Sequence, residues 1–495
     1  MKKRIKVLLF IFILLTGCTD FLQIDPQGNL TQTSFPVSSS DALQATNAIY
    51  SAVRNWYYNS GGYPILDIMS DDAYKGSNTN DQLATVGAYD NFTLNTTGDG
   101  LDRWWATLYQ GIRWANVVIE KVPLVSMDTT LSNRYVGEAR FLRGLFYFDL
   151  VRAWGGIPLV TTSVPPLHLD RASTNDIYAL IISDLQYADN HLKKRSELLS
   201  ADRGRATTGA AEALLAKVYL FQSDFINAEK YALKVIQSGE YSLEPRFTDA
   251  NGVNGNNGVE SVFEVGALGV EDYEGGGAQY ANTQGVRGSP NRGWGFNRPS
   301  IDLRKSFERG DPRLKGTIID LGDTLDGVYI KGDPDPANDP VITLNQNGDT
   351  VNIQCYNRKV WTPGNDTPTQ WSHHRRLIRY ADVLLMAAEA LNENSKPTDA
   401  LVYLNQVRKR ARGGNILILP DVSVTDKNIL RDKIMVERRH ELALEGERFW
   451  DLVRSGKAAA VLGPLGFVTG KNELLPIHQS EIDISQGSLT QNPNY

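Results

Sequence analysis

Apolar positions recur at helical spacing in two stretches of the chain, and each stretch predicts a pair of helices. In the first, residues 205–239, the apolar residues of each helix repeat at intervals of three and four. Asp224 stands where the second helix needs an N-cap, and Gly239 stands where that helix must end. The apolar residues are Ala213, Leu214, Ala216, Val218, Tyr219 and Leu220, then Ala228, Tyr231, Ala232, Val235 and Ile236.

The second stretch, residues 377–412, repeats the small residues of the first. Ala216 and Ala228 are twelve residues apart, and Ala388 and Ala400 have the same separation. Small residues at these positions let two helix backbones approach closely, as in a tetratricopeptide helix pair. One such pair cannot bury its own apolar face, so the pattern predicts further pairs stacked beside these two. An ordinary helical protein with two similar hairpins is the alternative.

The remaining patterns divide the chain into a helical scaffold and loop-rich regions. Residues 59–100 and 248–372 are rich in Gly, Asn, Asp and Thr, with scattered aromatic residues, and short β-type runs stand at 261–265 and 328–330. The predicted fold is mostly α: a tetratricopeptide-like helical scaffold with a loop-rich lobe of small β-hairpins inserted between helix pairs. The scaffold is assigned to residues 41–58, 101–238 and 377–456, with upstream helices at 101–122, 135–154 and 175–192.

A strongly charged helix near the C-terminus places Glu437, Glu441 and Glu445 on one stripe, at intervals of four residues. Three carboxylates in a row repel one another unless cationic groups face them. Arginines of the preceding stretch could supply those cations, which predicts a structural layer of ion pairs. A divalent metal or a catalytic role is the alternative. The arginines are Arg379, Arg408, Arg410 and Arg412.

The first residues of the chain predict export and a lipid anchor. Four basic residues precede an apolar run at residues 7–15, which is too short to span a bilayer and is typical of a secretory signal peptide. The sequence LTGC, ending at Cys18, resembles the lipobox in which the cysteine is acylated. We assign residues 1–17 to a lipoprotein signal peptide and residues 18–495 to the mature domain; a plain signal peptide is the alternative. Cys355 is the only other cysteine, so no intramolecular disulfide is expected once Cys18 is acylated.

Charge and motifs disfavour several classes of function. The chain of 495 residues has a net charge of −6, which gives no electrostatic footprint for nucleic acid. His440-Glu441 begins like a zinc-binding HExxH helix, but Leu444 stands where the second histidine must be. No nucleophile elbow and no phosphate-binding loop occur, so no catalytic residue, metal ligand or cofactor is predicted. An acid pair for glycoside hydrolysis stays open, because its separation is spatial.

Several long motifs occur in order through most of the chain. They are the lipobox followed by FLQIDPQG, then EARFLRGLFYFDLVRAWGGIPLV, GRATTGAAEALLAKVYL, WGFNRPSIDLRKSFERGDPRL, IRYADVLLMAAEALNE, ERRHELALEGERFWDLVR and LPIHQSEIDISQGSLTQNPNY. Together these motifs resemble the SusD/RagB family of nutrient-binding outer-membrane lipoproteins. The family usually has Pro-Ile-Pro where this chain has Pro476-Ile477-His478.

The resemblance implies a tetratricopeptide-like scaffold, a lipid anchor in the outer membrane facing the cell surface, and a partner of the SusC type. Such a partner is a TonB-dependent outer-membrane transporter. The resemblance also implies that the protein binds a glycan, either an oligosaccharide or a polysaccharide, and delivers it to that transporter without doing chemistry. A relative that binds peptides or another nutrient is one alternative, and a hydrolase is another.

Aromatic residues in the loop-rich regions are the candidates for glycan contacts, because the apolar faces of pyranose rings stack on flat side chains. Sugar hydroxyls need hydrogen-bonding groups nearby. The predicted ligand-binding residues are Tyr74, Asn78, Asp81, Arg292, Trp294, Phe296, Trp361 and Trp371. Tryptophans at helical spacing among apolar residues are assigned to the core, and these are Trp104, Trp105, Trp114, Trp154 and Trp450.

Overall fold

A computed structural model shows a stack of helix pairs that carries a lobe of short strands. The described residues are 35–59, 67–98, 100–268, 279–333, 335, 339–363 and 372–495. The predicted signal peptide, Cys18 and Trp371 lie outside them. The helices are α1 (Ser39–Arg54), α2 (Trp56–Asn59), α3 (Val86–Asp90), α4 (Leu101–Lys121), α5 (Thr129–Trp154), α6 (Thr174–His191), α7 (Thr208–Phe221), α8 (Phe225–Gln237), α9 (Phe247–Asn251), α10 (Gln279–Gln284), α11 (Ile301–Ser306), α12 (Pro312–Thr317), α13 (Tyr380–Glu393), α14 (Pro397–Ala411), α15 (Lys427–Leu442), α16 (Arg448–Arg454), α17 (Ala458–Leu462) and α18 (Gln479–Ile484).

The strands are short and pair two by two, always antiparallel: β1 with β3, β2 with β10, β4 with β9, β5 with β6, and β7 with β8. We use "lobe" for the described parts of residues 67–98 and 247–363, which hold β1 to β9, α3 and α9 to α12. The strands are β1 (Ala73–Gly76), β2 (Ser261–Val265), β3 (Phe296–Pro299), β4 (Ile318–Asp320), β5 (Thr324–Leu325), β6 (Val328–Tyr329), β7 (Ile342–Leu344), β8 (Thr350–Ile353), β9 (Cys355–Asn357) and β10 (Arg375–Arg379).

The scaffold is a continuous stack in which each long helix contacts the next: α1, α4, α5, α6, α7, α8, α13 and α14, with α15 packed on α13 and α14. The four alanines that define the two hairpins, Ala216, Ala228, Ala388 and Ala400, are fully buried. Close helix contact at small residues is what the sequence pattern requires, so the predicted tetratricopeptide-like arrangement is confirmed.

The helix ends also follow the sequence. Asp224 caps α8 by accepting a hydrogen bond from the backbone N–H of Asn227 at 3.1 Å, and Gly239 follows the helix with a φ of +69°. Of the tryptophans assigned to the core, Trp114 is only half-buried, and it packs against the main cluster. The others, Trp104, Trp105, Trp154 and Trp450, are buried.

Two predicted helix boundaries and one predicted strand pairing are wrong. The helix expected over 41–58 is divided into α1 and α2, because Asn55 takes an extended conformation between them. Residues 377–379 belong to β10 and not to a helix, because their backbone is extended and pairs with β2. The run at 261–265 is therefore β2 of a long-range pair and forms no local hairpin, whereas the run at 328–330 does contribute Val328–Tyr329 to one.

The three carboxylates face arginines, as predicted, but they do not lie on one helix, because α15 ends at Leu442 and only Glu437 and Glu441 belong to it. Arg379 contacts Glu441 and Glu445, at 2.7 Å each, and Arg408 contacts Glu437 at 2.7 Å. Arg410 pairs with Glu441. The prediction of a structural layer of ion pairs holds for these three arginines.

Arg412 is the exception among the predicted cations. It pairs with Asp421, whose side chain is 57% exposed, and so it lies outside the stripe. Two cations of the lobe occupy positions on the stripe that the sequence pattern did not predict. Arg313 of α12 contacts Glu437 at 2.5 Å, and Lys359 contacts Glu445 at 2.5 Å.

We call the whole set the charge layer, and its side chains are almost entirely buried. Burial by itself raises the pKa of the Glu441 carboxyl, but the neighbouring charges of Arg410, Arg379 and Arg313 outweigh burial and hold that pKa well below its usual range. The layer consists of Arg313, Lys359, Arg379, Arg408 and Arg410, with Glu260, Asp311, Glu437, Glu441 and Glu445.

Removing one cation from the charge layer should destabilise the fold strongly. Arg410→Met removes a positive charge that faces the buried carboxylates of Glu260 and Glu441. Breaking a buried ion pair in this way lowers the free energy of unfolding by about 3–5 kcal/mol. The matched control is Arg412→Met two residues later, whose exposed partner predicts a loss of less than about 1 kcal/mol. Urea denaturation of the chain without its first 18 residues, followed by circular dichroism, measures both. Equal losses would contradict the assignment.

Candidate functional site

A groove of about 350 Å³ lies where the lobe meets the scaffold. Trp56 begins α2, directly after the first scaffold helix, and Thr283 belongs to α10, which contacts α2. The remaining lining residues come from the turn after β1 and from the start of β3. The described lining residues are Trp56, Asp81, Gln82, Thr283, Trp294 and Phe296.

Backbone pairing brings the two lobe segments of the groove together. In the β1–β3 ladder Gly76 stands opposite Phe296, and the N–H of Ser77 donates to the carbonyl of Gly295 at 2.7 Å. Gly76 has a φ of +73°, and a Cβ at this position would lie 2.3 Å from the Gly295 oxygen. Only glycine permits that approach, so this residue fixes the distance between the turn after β1 and Trp294.

Lys75 holds the turn after β1 in shape. Its ammonium group donates to three backbone carbonyls, those of Gly76 at 2.9 Å, Asn78 at 2.7 Å and Asp81 at 2.7 Å. An ammonium group has three N–H donors, so the protein backbone uses all of them. Desolvation lowers the pKa of Lys75. Ser77 donates its hydroxyl to the Asp81 carboxylate at 2.7 Å, which orients that carboxylate.

Two tryptophans form the apolar surface of the groove. The ring centroids of Trp56 and Trp294 are 5.4 Å apart, and their planes are tilted by 55°. Trp294 is 40% exposed, whereas Phe296 beside it is buried. The backbone N–H of Trp294 donates to the carbonyl of Asn282 at 2.8 Å, which ties the segment to α10. A large exposed aromatic side chain on a fixed backbone suits a flat apolar ligand surface.

Thr283 supplies the groove with an unused hydrogen-bonding group. Its side chain is buried, yet its hydroxyl makes no hydrogen bond to any residue that the structure describes. Buried polar atoms normally have a partner, so a hydroxyl that lines a groove without one is suited to a ligand. The amides behind it are bonded to one another, since Asn297 and Asn357 both donate to the side-chain oxygen of Gln284.

The structure brings three of the predicted ligand-binding residues together. Asp81, Trp294 and Phe296 line the groove. Asn78 lies in the same turn, where its side chain accepts a hydrogen bond from the N–H of Asp81 at 2.7 Å. Tyr74 lies in β1, and its hydroxyl donates to the carbonyl of Val351 at 3.0 Å. These last two residues support the site without lining it.

Arg292 and Trp361 form a separate pair. The Arg292 guanidinium lies 5.2 Å from the ring of Trp361 and donates to the carbonyl of Thr362 at 3.2 Å. The indole N–H of Trp361 donates to Asp326 at 2.7 Å, and the ring packs on a small apolar cluster of the lobe. The eighth predicted residue, Trp371, lies outside the described residues.

The sequence analysis missed three of the described lining residues, Trp56, Gln82 and Thr283, and Trp56 is the aromatic one among them. It falls in the predicted helix 41–58, and its neighbours there are scaffold residues. A usable signal was present, because Trp56 begins a run of three aromatic residues that stands just before Gly61 and Gly62. Three adjacent aromatics cannot all face one side of a helix, so at least one of them had to point away from the scaffold core.

A larger cleft of about 480 Å³ lies at the end of the α7–α8 hairpin, but its polar groups bond to the protein itself. Arg195 donates to the carbonyl of Asn257 at 2.7 Å, and Glu240 accepts hydrogen bonds from Ser196. Its two aromatic residues, Tyr241 and Phe263, are buried. This cleft offers no exposed aromatic side chain among the residues that line it, so volume alone does not make it the better site.

Two general features bear on function. Within the described residues, no three His, Cys, Asp or Glu side chains converge in a way that could hold a metal ion. The helices in the same residues include none with the length and hydropathy needed to cross a membrane.

Comparison with known proteins gives consistent matches along the chain. The profile described as "SusD family" matches residues 259–466, and the profile described as "Starch-binding associating with outer membrane" matches residues 20–220. The curated SusD-like protein P2 from Formosa agariphila is 28% identical over the whole of both chains.

Solved structures agree with the fold. A structure titled laminarin binding SusD-like protein has a TM-score of 0.77 and 29% identity, and the match covers 93% of this chain and 100% of that one. Surface glycan-binding protein A from Bacteroides thetaiotaomicron, in complex with laminarihexaose, has a TM-score of 0.75 and 25% identity with the same coverage.

Proposed function

Because this chain belongs to the SusD/RagB family, we propose that it binds a glycan in the groove between Trp56 and Trp294. The observation that carries the proposal is the exposed Trp294 ring beside the unpartnered Thr283 hydroxyl. A pyranose ring needs both features, since its C–H face stacks on an aromatic ring while its hydroxyls require hydrogen-bond partners. The titles of the two similar structures, which name laminarin and laminarihexaose, support a glycan as the ligand.

The groove is suited to binding rather than to hydrolysis. Glycosidases generally need two carboxyl groups about 5–10 Å apart on either side of the scissile bond. Asp81 is the single carboxylate among the lining residues that the structure describes, and it accepts a hydrogen bond from Ser77. We therefore propose that the protein captures its ligand and releases it unchanged.

Replacing Trp294 should weaken glycan binding. Trp294→Ala removes the stacking surface, and losing one such contact costs on the order of 1–3 kcal/mol, or about ten- to a hundredfold in affinity, by analogy with bases stacked on aromatic residues. The measurement is isothermal titration with the oligosaccharide that binds best in a panel.

The matched control is Trp361→Ala, which removes the same side chain from the lobe outside the groove lining. If this variant, shown to be folded by circular dichroism, loses as much affinity as Trp294→Ala, the site is placed wrongly.

Removing the Thr283 hydroxyl should lower the glycan affinity without lowering the free energy of unfolding. Thr283→Val keeps the shape of the side chain and removes a hydrogen-bonding group, so affinity should fall about three- to tenfold. The free energy of unfolding should stay the same or rise, because the hydroxyl has no partner among the described residues. Thr317→Val is the control, since its hydroxyl is equally buried and unpartnered in the described residues but lies outside the groove lining. Equal affinities for the two variants would count against the proposal.

We further propose that lipid on Cys18 holds the protein in the outer membrane, facing the cell surface, beside a SusC-type TonB-dependent transporter. The lipobox sequence and the family support this arrangement. A single lipid-modified cysteine attaches a protein to a membrane surface but moves no solute across it, so uptake requires a partner.

Replacing Cys18 tests the anchor and the partner in one experiment. Cys18→Ala should abolish palmitate labelling and shift the protein from the membrane fraction to the soluble fraction. Gentle detergent extraction of the unmodified sequence should recover a TonB-dependent transporter with it. Undiminished labelling of the variant would refute the anchor, and a clean monomer from the native membrane would refute the complex.

A further inference from the structure

We propose that the groove selects neutral glycans and rejects glycans that carry sulfate or uronate groups. This inference rests on the proposed function, because it concerns the ligand of the same groove. It follows from the charge of the described groove lining and from the way the neighbouring cations are held by the protein.

The described lining of the groove carries one charged group, and that group is negative. The Asp81 carboxylate stands among side chains without charge, two of which, Gln82 and Thr283, hydrogen-bond as neutral groups. Recognition of sulfate and carboxylate groups in proteins relies on Arg and Lys side chains, which donate charge-assisted hydrogen bonds. An anionic sugar in this groove would meet a carboxylate instead.

Two cations that contact the turn carrying Asp81 are engaged by the protein. All three N–H donors of the Lys75 ammonium group bond to backbone carbonyls. Arg287 pairs with Asp333 at 3.1 Å and donates to the Ser77 hydroxyl at 2.9 Å. These two cations therefore hold the turn in place and are not presented to a ligand.

Arg298, opposite Tyr74 in the β1–β3 ladder, is engaged in the same way. It forms a two-point pair with Asp339, with distances of 2.8 and 2.5 Å, and it donates to the carbonyl of Ser77 at 3.1 Å. Its side chain is buried. Rotating it toward a ligand would leave Asp339 buried without its partner, which is costly.

The internal segments outside the described residues cannot supply a cation either. Residues 60–66, 99, 269–278, 334, 336–338 and 364–371 contain no Lys, Arg or His. They do contain five acidic residues, Asp99, Glu271, Asp272, Glu274 and Asp366. These segments therefore contain only neutral and acidic side chains, and the charge preference does not depend on their placement.

The size of the discrimination follows from the repulsion between like charges. Two charges about 4 Å apart near a protein surface interact strongly enough to change affinity by about ten- to a hundredfold, and salt screens part of that effect. We expect an anionic glycan to bind at least about tenfold more weakly than its neutral counterpart at low ionic strength.

The experiment is a glycan array followed by isothermal titration, using the full mature chain. The array holds neutral glucans, mannans, xylans and galactans together with sulfated and uronate-containing glycans. The best neutral ligand and a sulfated form of the same oligosaccharide are then titrated at low and high salt. The variants are Asp81→Asn and the control Asp421→Asn, which removes an equal charge from an exposed position that pairs with Arg412.

The neutral oligosaccharide should bind at least about tenfold more tightly than its sulfated form. Asp81→Asn should narrow that gap severalfold, high salt should also narrow it, and Asp421→Asn should leave it unchanged. Equal or tighter binding of the anionic form overturns this inference and leaves the proposed function standing. Binding of no glycan from either group overturns the proposed function, and this inference with it.

Discussion

Burying a charged side chain costs several kcal/mol unless an opposite charge and good hydrogen bonds accompany it, and the charge layer meets that condition through residues from distant parts of the chain. Glu441 of α15 is its centre, since it contacts Arg313 of the lobe as well as Arg379 and Arg410. The buried charge of each group is fully compensated only when its partners from the other segments are in place. The lobe and the scaffold must therefore fold together in one arrangement.

That arrangement determines the shape of the groove. Trp56 is fixed to the scaffold through α2, whereas Trp294 is fixed to the lobe through β3 and the contact with Asn282. The distance of 5.4 Å between the two ring centroids is therefore set by how the lobe packs on the scaffold. The ion pairs of the charge layer and the short β2–β10 ladder hold these parts together, because Arg379 takes part in both. The shape of the groove therefore depends on ion pairs of the charge layer, which lie outside the described groove lining.

The sequence patterns predicted the elements that follow a regular spacing and missed the residues that follow none. The twelve-residue spacing of alanines predicted the stacked helix pairs, since helix packing depends on local periodicity. The carboxylate stripe predicted that cations would face it. It could not predict Arg313 of the six-residue α12 or Lys359 after β9, because neither lies in a segment with a periodic pattern. Arg412 has the right spacing and a different partner, because Asp421 lies within its reach after the helix ends.

The groove shows the same limit. Trp294 and Phe296 are predicted because large aromatics in glycine-rich segments have less core to enter, and Asp81 is predicted as a hydrogen-bonding group near them. The structure places these three residues together. Trp56 was assigned to the scaffold because it follows a helical pattern, and only the extended conformation of Asn55 separates it from α1. A break of one residue, invisible in the apolar pattern, decides which aromatic residue forms the other side of the groove.

The groove is framed by backbone hydrogen bonds, and this has an evolutionary consequence. The carbonyls of Gly295 and Asn282 hold the turn after β1 and the segment before β3 through main-chain N–H groups, and Lys75 likewise holds the turn by carbonyl oxygens. These main-chain hydrogen bonds form regardless of which side chains the segments carry. Related proteins can therefore exchange Gln82, Thr283 or Trp294 for other residues while Gly76 and the frame persist. Ligand preference can therefore change on such a frame without disturbing the charge layer, because no residue of that layer belongs to the described lining of the groove.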